Sequence, residues 1–213
     1  MGMMRSRILS GGLATVLVAL TTLTASAQQG ATDLGAFGNW NAWKSSDQYG
    51  AVCFISSAPQ KTSPTEIEGR PVNRDPAFFM IIHRAMAPVV NSDQTFALDA
   101  NGKQILKPKR NEVQTVVGYP MKVTTTTVFH EAQIDGRVYP MRSIPDDAST
   151  PNVDDSEGAW LASMEDEGAF VAALKAGTTL VVKGTSVRGN VLTDTYSLSG
   201  VTKAMEAIDK ACP

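Results

Sequence analysis

The sequence predicts a mainly β domain of sandwich type with two short helices, one of them C-terminal. Three observations predict it. Short runs rich in β-branched and aromatic residues recur along the chain, separated by turn dipeptides such as Asn101-Gly102 and Asp135-Gly136. Two segments, 163–177 and 201–212, carry helical spacing. Two cysteines, Cys53 and Cys212, stand far apart, where one cross-link would tie an early strand to the last element. Two packed sheets bury one face of each, which is what strands of this kind require.

The start of the 213-residue chain is read separately. Arg5 and Arg7 precede an apolar run from Ile8 to Leu20, and Ala25-Ser26-Ala27 follows. A basic start, a short apolar core and an A-x-A site form the pattern of a secretory signal peptide, cleaved here after Ala27. The run is too short and interrupted for a membrane span, which needs about 20 apolar residues. The expected organisation is a signal peptide over 1–27, a flexible leader over 28–36 and one sandwich domain over 37–213. No stable membrane span remains after cleavage, and the protein is exported to the periplasm or the outer envelope surface. Nineteen basic and 21 acidic side chains give a net charge of −2, and loss of Arg5 and Arg7 makes the mature chain more acidic. That balance offers no electrostatic footprint for nucleic acid. In an oxidising compartment the simplest reading of the cysteines is a Cys53–Cys212 disulfide; two free thiols are the alternative, and no C-x-x-C pair is present.

Along the mature chain, 28–34 is polar and reads as leader. Aromatic residues surround a short strand at 37–43, and a second strand follows at 49–55. Residues 56–76, rich in Ser, Pro and Gly, read as a long loop. The apolar run 77–83 is a buried strand, and 85–110 an insertion with a small hairpin around Asn101-Gly102 and a basic cluster of Lys107, Lys109 and Arg110. Strands are expected at 112–118, 123–129 and 138–141, and an acidic exposed loop at 145–158. Ser163 and Asp166 suggest a capping box for a helix ended by Gly177. Strands at 178–187 and 191–198 flank a turn at Arg188-Gly189-Asn190. Ser199 is placed to cap a final helix that puts Val201, Met205, Ile208 and Cys212 on one stripe.

Chemistry is sparse. The only two histidines, His83 and His130, are too far apart in sequence for a local metal motif. Gly184-Thr185-Ser186-Val187-Arg188-Gly189 is one residue too long for a G-x-S-x-G nucleophile elbow, and a strand follows it where an elbow needs a helix. Asp99-Ala100-Asn101-Gly102 lacks the ligand spacing of a calcium loop and reads as a tight turn. The pairs Asp146-Asp147 and Asp154-Asp155 are solvated loop residues. Trp40, Trp43 and Trp160 are expected in the core. No catalytic, cofactor-binding or metal residue is assigned, and no cofactor is expected. The alternatives are a small-ligand or cation-binding module using the inserted loops 85–110 and 145–158, and a serine hydrolase pairing Ser186 or Ser199 with one histidine.

The order of features resembles the invasion-associated locus B family of exported proteins. The residues that carry the resemblance are Phe37-Gly38-Asn39-Trp40, Cys53, Asp75-Pro76-Ala77-Phe78-Phe79 with Ile81-Ile82-His83-Arg84, Asn111-Glu112-Val113 through Gly118-Tyr119-Pro120, Ala159-Trp160-Leu161, and above all 180–212. The chain departs from the family in longer connections at 91–110 and around Thr150-Pro151-Asn152-Val153. The resemblance implies an immunoglobulin-like β-sandwich in the cell envelope, non-enzymatic, acting on an unknown envelope or host-surface protein, with a link to host-cell entry in pathogenic members.

Overall fold

A computed structural model of the chain describes residues 30–91, 95–122, 130–143 and 157–213. In chain order its elements are β1 (Thr32–Phe37), β2 (Trp40–Asp47), β3 (Gly50–Ser57), β4 (Lys61–Ser63), β5 (Glu66–Ile67), β6 (Arg70–Pro71), β7 (Phe78–Pro88), β8 (Leu106–Val116), β9 (His130–Ile134), β10 (Arg137–Ser143), β11 (Gly158–Leu161), α1 (Glu167–Ala176), β12 (Thr179–Thr185), β13 (Val191–Ser197) and α2 (Val201–Ala211). Apart from the small β5–β6 ladder, the strands join in one sheet of order β1-β2-β3-β7-β8-β11-β10-β9-β12-β13-β4. Every pairing is antiparallel.

The sheet curls on itself, so the two layers of the expected sandwich are parts of one continuous sheet. Period-2 alternation sets the concave side: Trp40 and Ala42 on β2, Cys53 and Ile55 on β3, Phe79 and Ile81 on β7, and Leu192 and Tyr196 on β13 are all buried in one core cluster. Phe79 of β7 meets Tyr196 of β13 edge-on with ring centroids 5.9 Å apart. Trp40 Nε1 donates to Ser197 O across the same gap. Phe170 of α1 stacks on Phe79 and meets Tyr139 of β10 edge-on at 4.8 Å, so α1 plugs the space between the layers. The apolar stripe of α2, Val201, Ala204, Met205 and Ile208, is buried on the concave side as its helical spacing requires.

The Cys53–Cys212 disulfide is formed, with Cα atoms 6.1 Å apart and a sequence separation of 159. The basic cluster has a structural use. Arg110 donates to Asp209 Oδ1 and to Cys212 O, and Lys109 pairs with Glu167, so neighbouring side chains of β8 hold α2 and α1.

Several expectations are corrected. The stretch read as a flexible leader supplies the edge strand β1 from Thr32 onward, paired with β2 through a bulge at Asp33/Gly35. Within 56–76 the chain forms β4, β5 and β6. Ser163 precedes a 3-10 turn at Met164–Asp166 without any side-chain cap bond, so the capping box does not form. The cap of α2 is Gly200, not Ser199. Gly200 has φ +95, and a Cβ there would fall 1.8 Å from Phe37 O; only glycine lets the β1–β2 turn close against the helix start. Gly177 does end α1, but in an extended conformation: it is needed for space, since a Cβ would meet Ile134 Cγ2 at 2.8 Å. Trp40 is core, whereas Trp43 and Trp160 are half-buried on the convex side. The expected signal peptide, the strand at 123–129 and the loop at 145–156 lie outside the described residues.

Two stability predictions follow from this architecture. Cys53→Ser or Cys212→Ser removes a cross-link that closes a very long loop, and the chain-entropy account gives a loss of about 5 kcal/mol, read as a lower denaturant midpoint. Gly200→Ala forces a Cβ into Phe37 O and lowers the midpoint, whereas alanine at Gly168, which has open space around its Cα, leaves it nearly unchanged in thermal unfolding.

Candidate functional site

The hairpin of β12 and β13 holds the residues with catalytic potential. Ser186 sits in its turn: its N–H donates to Asn190 O, its Oγ accepts the Asn190 N–H, and its carbonyl accepts the Gly189 N–H. These bonds fold the chain back into β13 by strand–turn–strand. Ser199 is exposed, its carbonyl accepting the Asn39 N–H and its own N–H donating to Ser197 Oγ.

His130 lies beside this hairpin, nearly fully buried. Its Nε2 lies 2.9 Å from Lys122 O and its Nδ1 accepts the Thr185 N–H at 3.2 Å. That pattern fixes the neutral tautomer with the proton on Nε2, and leaves neither nitrogen free for a serine. Burial holds its pKa below the ordinary imidazole value against the opposing Lys122 carbonyl. A shallow concavity of about 260 Å³ opens next to it, lined by Glu131, Val138, Lys183 and Val191 among others, with Lys183 paired to Glu131.

His83 lies on β7, four strands from the β9 of His130 in the sheet order, and the two histidines have separate partners. Only 2 % exposed, His83 faces a bulge in the β7–β8 ladder where Asn111 takes φ +61. Nε2 is 3.3 Å from Asn111 Oδ1, and Nδ1 is 3.5 Å from Asp209 Oδ1, an ion pair only when the ring is protonated. Burial, reinforced by Arg110, lowers its pKa in spite of Asn111 and Asp209.

Asp99 accepts the Asn101 and Lys103 N–H groups, which makes the tight turn expected and draws its pKa down through those bonds. Among the described residues no His, Cys, Asp and Glu cluster is arranged for a metal ion. A second cleft, about 550 Å³, runs between the β1–β2 turn and the start of α2, lined by Phe37, Ser199, Thr202 and Lys203 with their neighbours.

One constellation escaped the sequence reading. Asp194 of β13 is buried and takes two bonds from Arg74, Nη2 to Oδ1 at 2.5 Å and Nη1 to Oδ2 at 2.9 Å. Thr62 donates to Asp194 and accepts from Arg74, which also donates to Val117 O and lies over the Tyr119 ring. Burial pushes the Tyr119 and Tyr196 phenols up, and the Asp194 charge adds to that. The signal was present. Leu192, Asp194, Tyr196 and Leu198 occupy the inward register of one strand, and a carboxylate at such a position demands a partner. The partner comes from a loop and was not readable.

Asp194→Asn leaves the Arg74 guanidinium buried without its counter-charge, and we expect a loss of about 3–5 kcal/mol in chemical denaturation. A pH effect follows from the histidines. Both are neutral in the fold with lowered pKa, whereas the unfolded chain takes up protons from about pH 6.5 downward. Stability is therefore full above that value and falls as pH drops below it. Glu167, raised chiefly by burial, works in the opposite direction nearer its ordinary value. The unfolding midpoint should fall between pH 7.5 and pH 5, and fall less in a His83→Gln/His130→Gln variant.

The family model for invasion associated locus B (IalB) protein matches residues 155–209. No curated protein matches the chain. Among solved structures, the crystal structure of invasion associated protein B from Bartonella henselae is 15% identical, with 83% of this chain and 96% of that chain covered at a TM-score of 0.42. The matched segment holds β11, α1, the β12–β13 hairpin and nearly all of α2. The resemblance of this chain to the invasion associated locus B family thus stands, carried by the family's own model over the C-terminal block.

Proposed function

We propose that the chain is an exported, non-enzymatic cell-envelope protein of the invasion associated locus B type, acting as an interaction module in the periplasm or at the outer surface. The observation that carries this reading is the arm between β7 and β8. Val89, Ala97 and Ile105 close a ring of backbone bonds, Val89 N–H to Ile105 O, Ala97 N–H to Val89 O and Ile105 N–H to Ala97 O, each 2.8 Å. This knob presents Phe96 and Leu98, 51% and 56% exposed, two residues apart in sequence. Large exposed apolar side chains on a backbone braced in this way suit a protein partner, an envelope or host-surface protein. The disulfide supports an oxidising compartment. The engagement of both His130 nitrogens supports a role without serine chemistry.

The mature protein, used as bait on intact envelope, should retain a partner that a Phe96→Ser/Leu98→Ser variant loses. Its mass should correspond to a chain starting at Gln28 with no alkylatable thiol before reduction. A fluorophosphonate probe should leave Ser186 and Ser199 unlabelled; labelling of either would overturn the non-enzymatic reading.

A further inference from the structure

A strand edge left open invites another chain to pair with it, and folded proteins blunt such edges with bulges, short strands, lysine and proline. The main sheet does so. β1 is broken by the bulge at Asp33/Gly35. β4 has three residues and begins with Lys61. β8 pairs with β11 only from Gln114 onward, and before that point it carries Lys107, Pro108 and Lys109. The arm between β7 and β8 holds one more short edge, Thr95-Phe96-Ala97-Leu98, with neither charge nor proline in it.

The bonding pattern of the arm fixes where that edge points. Asn91 N–H donates to Thr95 O and Ala97 N–H to Val89 O, which sets Phe96 opposite Val90. Asp99 N–H donates to Lys103 O and Ile105 N–H to Ala97 O, which sets Leu98 opposite Gln104. Both neighbouring segments are thus bonded through Thr95, Ala97 and Asp99. Backbone groups of successive residues in an extended strand point to opposite sides, so the N–H and C=O of Phe96 and Leu98 point the other way. Among the described residues nothing bonds to them. Their side chains are exposed as well. The arm is held from behind: Tyr49 of the β2–β3 turn donates to Gln104 Oε1, and Asn91 Nδ2 to Thr95 Oγ1.

Phe96 and Leu98 therefore offer donor and acceptor pairs along one line, at the spacing an antiparallel strand matches. One incoming residue exchanges both backbone bonds with Phe96, and a second, two positions away, does so with Leu98. Those two residues stand directly opposite Phe96 and Leu98 on the same face, where apolar or β-branched side chains pack best. A helix laid on the two side chains would cover the backbone groups without pairing them, because its own amides are bonded internally.

We propose that the partner adds an extended segment to this edge as an antiparallel strand, with two apolar side chains at alternate positions facing Phe96 and Leu98. The inference rests on the reading of the arm as the contact site, and adds that backbone as well as side chains makes the contact.

The test is titration of the mature protein with capped heptapeptides, Lys at each end and Thr alternating with Val, Ile or Phe between, followed by the backbone N–H signals of the arm. Saturable binding of at least one peptide below ~10 mM is expected, with the Phe96 and Leu98 N–H signals shifting and their exchange with solvent slowing. N-methylation of that peptide at its apolar residues should weaken binding about tenfold or more, whereas N-methylation at its threonines, on the outer edge, should leave it nearly unchanged. Leu98→Pro removes an N–H that holds nothing in the fold, and should weaken binding more than Leu98→Ala. The two methylated peptides keep the proposal testable if the proline variant distorts the arm. No saturation by any of the peptides, or Phe96 and Leu98 signals that move with protein concentration alone, the mark of self-pairing, would overturn strand addition. Equal affinity for the two methylated peptides with both signals still moving would remove the strand and leave the arm as contact site. Binding that spares both signals would remove both.

Discussion

The bond between Cys53 and Cys212 joins the middle of β3 to the residue that caps the end of α2, and the docking of α2 depends on what surrounds it. A helix of eleven residues is marginal in water on its own, so its stability comes from the face it buries. That face is held at three points. At the start, Gly200 admits the Phe37 carbonyl; at the end, the disulfide and Arg110 fix the chain; between them Val201, Ala204, Met205 and Ile208 fill the concave side. Lys44 adds a bond to Ala211 O, so β2, β3 and β8 all hold the same helix. The edge strand β1 is drawn in by the same arrangement, because its turn rests on Ser199 O and Gly200.

The far layer is secured by charge. Asp194 lies on the buried register of β13, one strand from the sheet edge, and Arg74 reaches it from the segment before β7. The pair therefore staples the loop that precedes one layer to the end strand of the other. Gly118 lets this loop approach: it sits at φ +69 and its carbonyl accepts the Asp75 N–H, where a Cβ would overlap Asp75 O. Sequence-local turn chemistry does not specify such a contact. It becomes favourable only when the sheet has curled enough to bring 74–75 and 117–119 together.

That difference explains what could be read in advance. The strands expected near 49–55, 77–83, 178–187 and 191–198, the 188–190 turn, the α2 stripe and the Cys53–Cys212 pairing are local or compositional signals, and they survive folding because each matches what the tertiary structure requires. Ser163 and Ser199 looked like caps because their residue types favour that role, but packing placed the helix starts one to three residues further on. Residues 32–36 read as leader because an edge strand needs apolar residues on little of its surface; their pattern shows no alternation strong enough to betray it. His83 and Asp194 are the reverse case. Their burial follows from strand register and was visible, but their partners Asp209 and Arg74 come from distant segments.

The same alternation that builds the core decides what is left outside. On β2, β3, β7 and β8 the inward residues are Trp40, Ile55, Phe79 and Val113, which the core absorbs completely. The outward residues of a sheet with one solvated face are ordinarily polar, and here they are not: Trp43, Phe54, Met80, Ile82 and Trp160 interrupt the polar rows. Rings in those positions add little to a core they do not reach. Their indole N–H groups are nonetheless aimed by Ser56 and Glu112, and Glu112 is itself fixed by Arg84. Side chains held this way, on rigid strands and against water, have already lost the rotamer freedom that a binding partner would otherwise have to remove. Ordering of that kind distinguishes the convex face from the mixed polar surface around it.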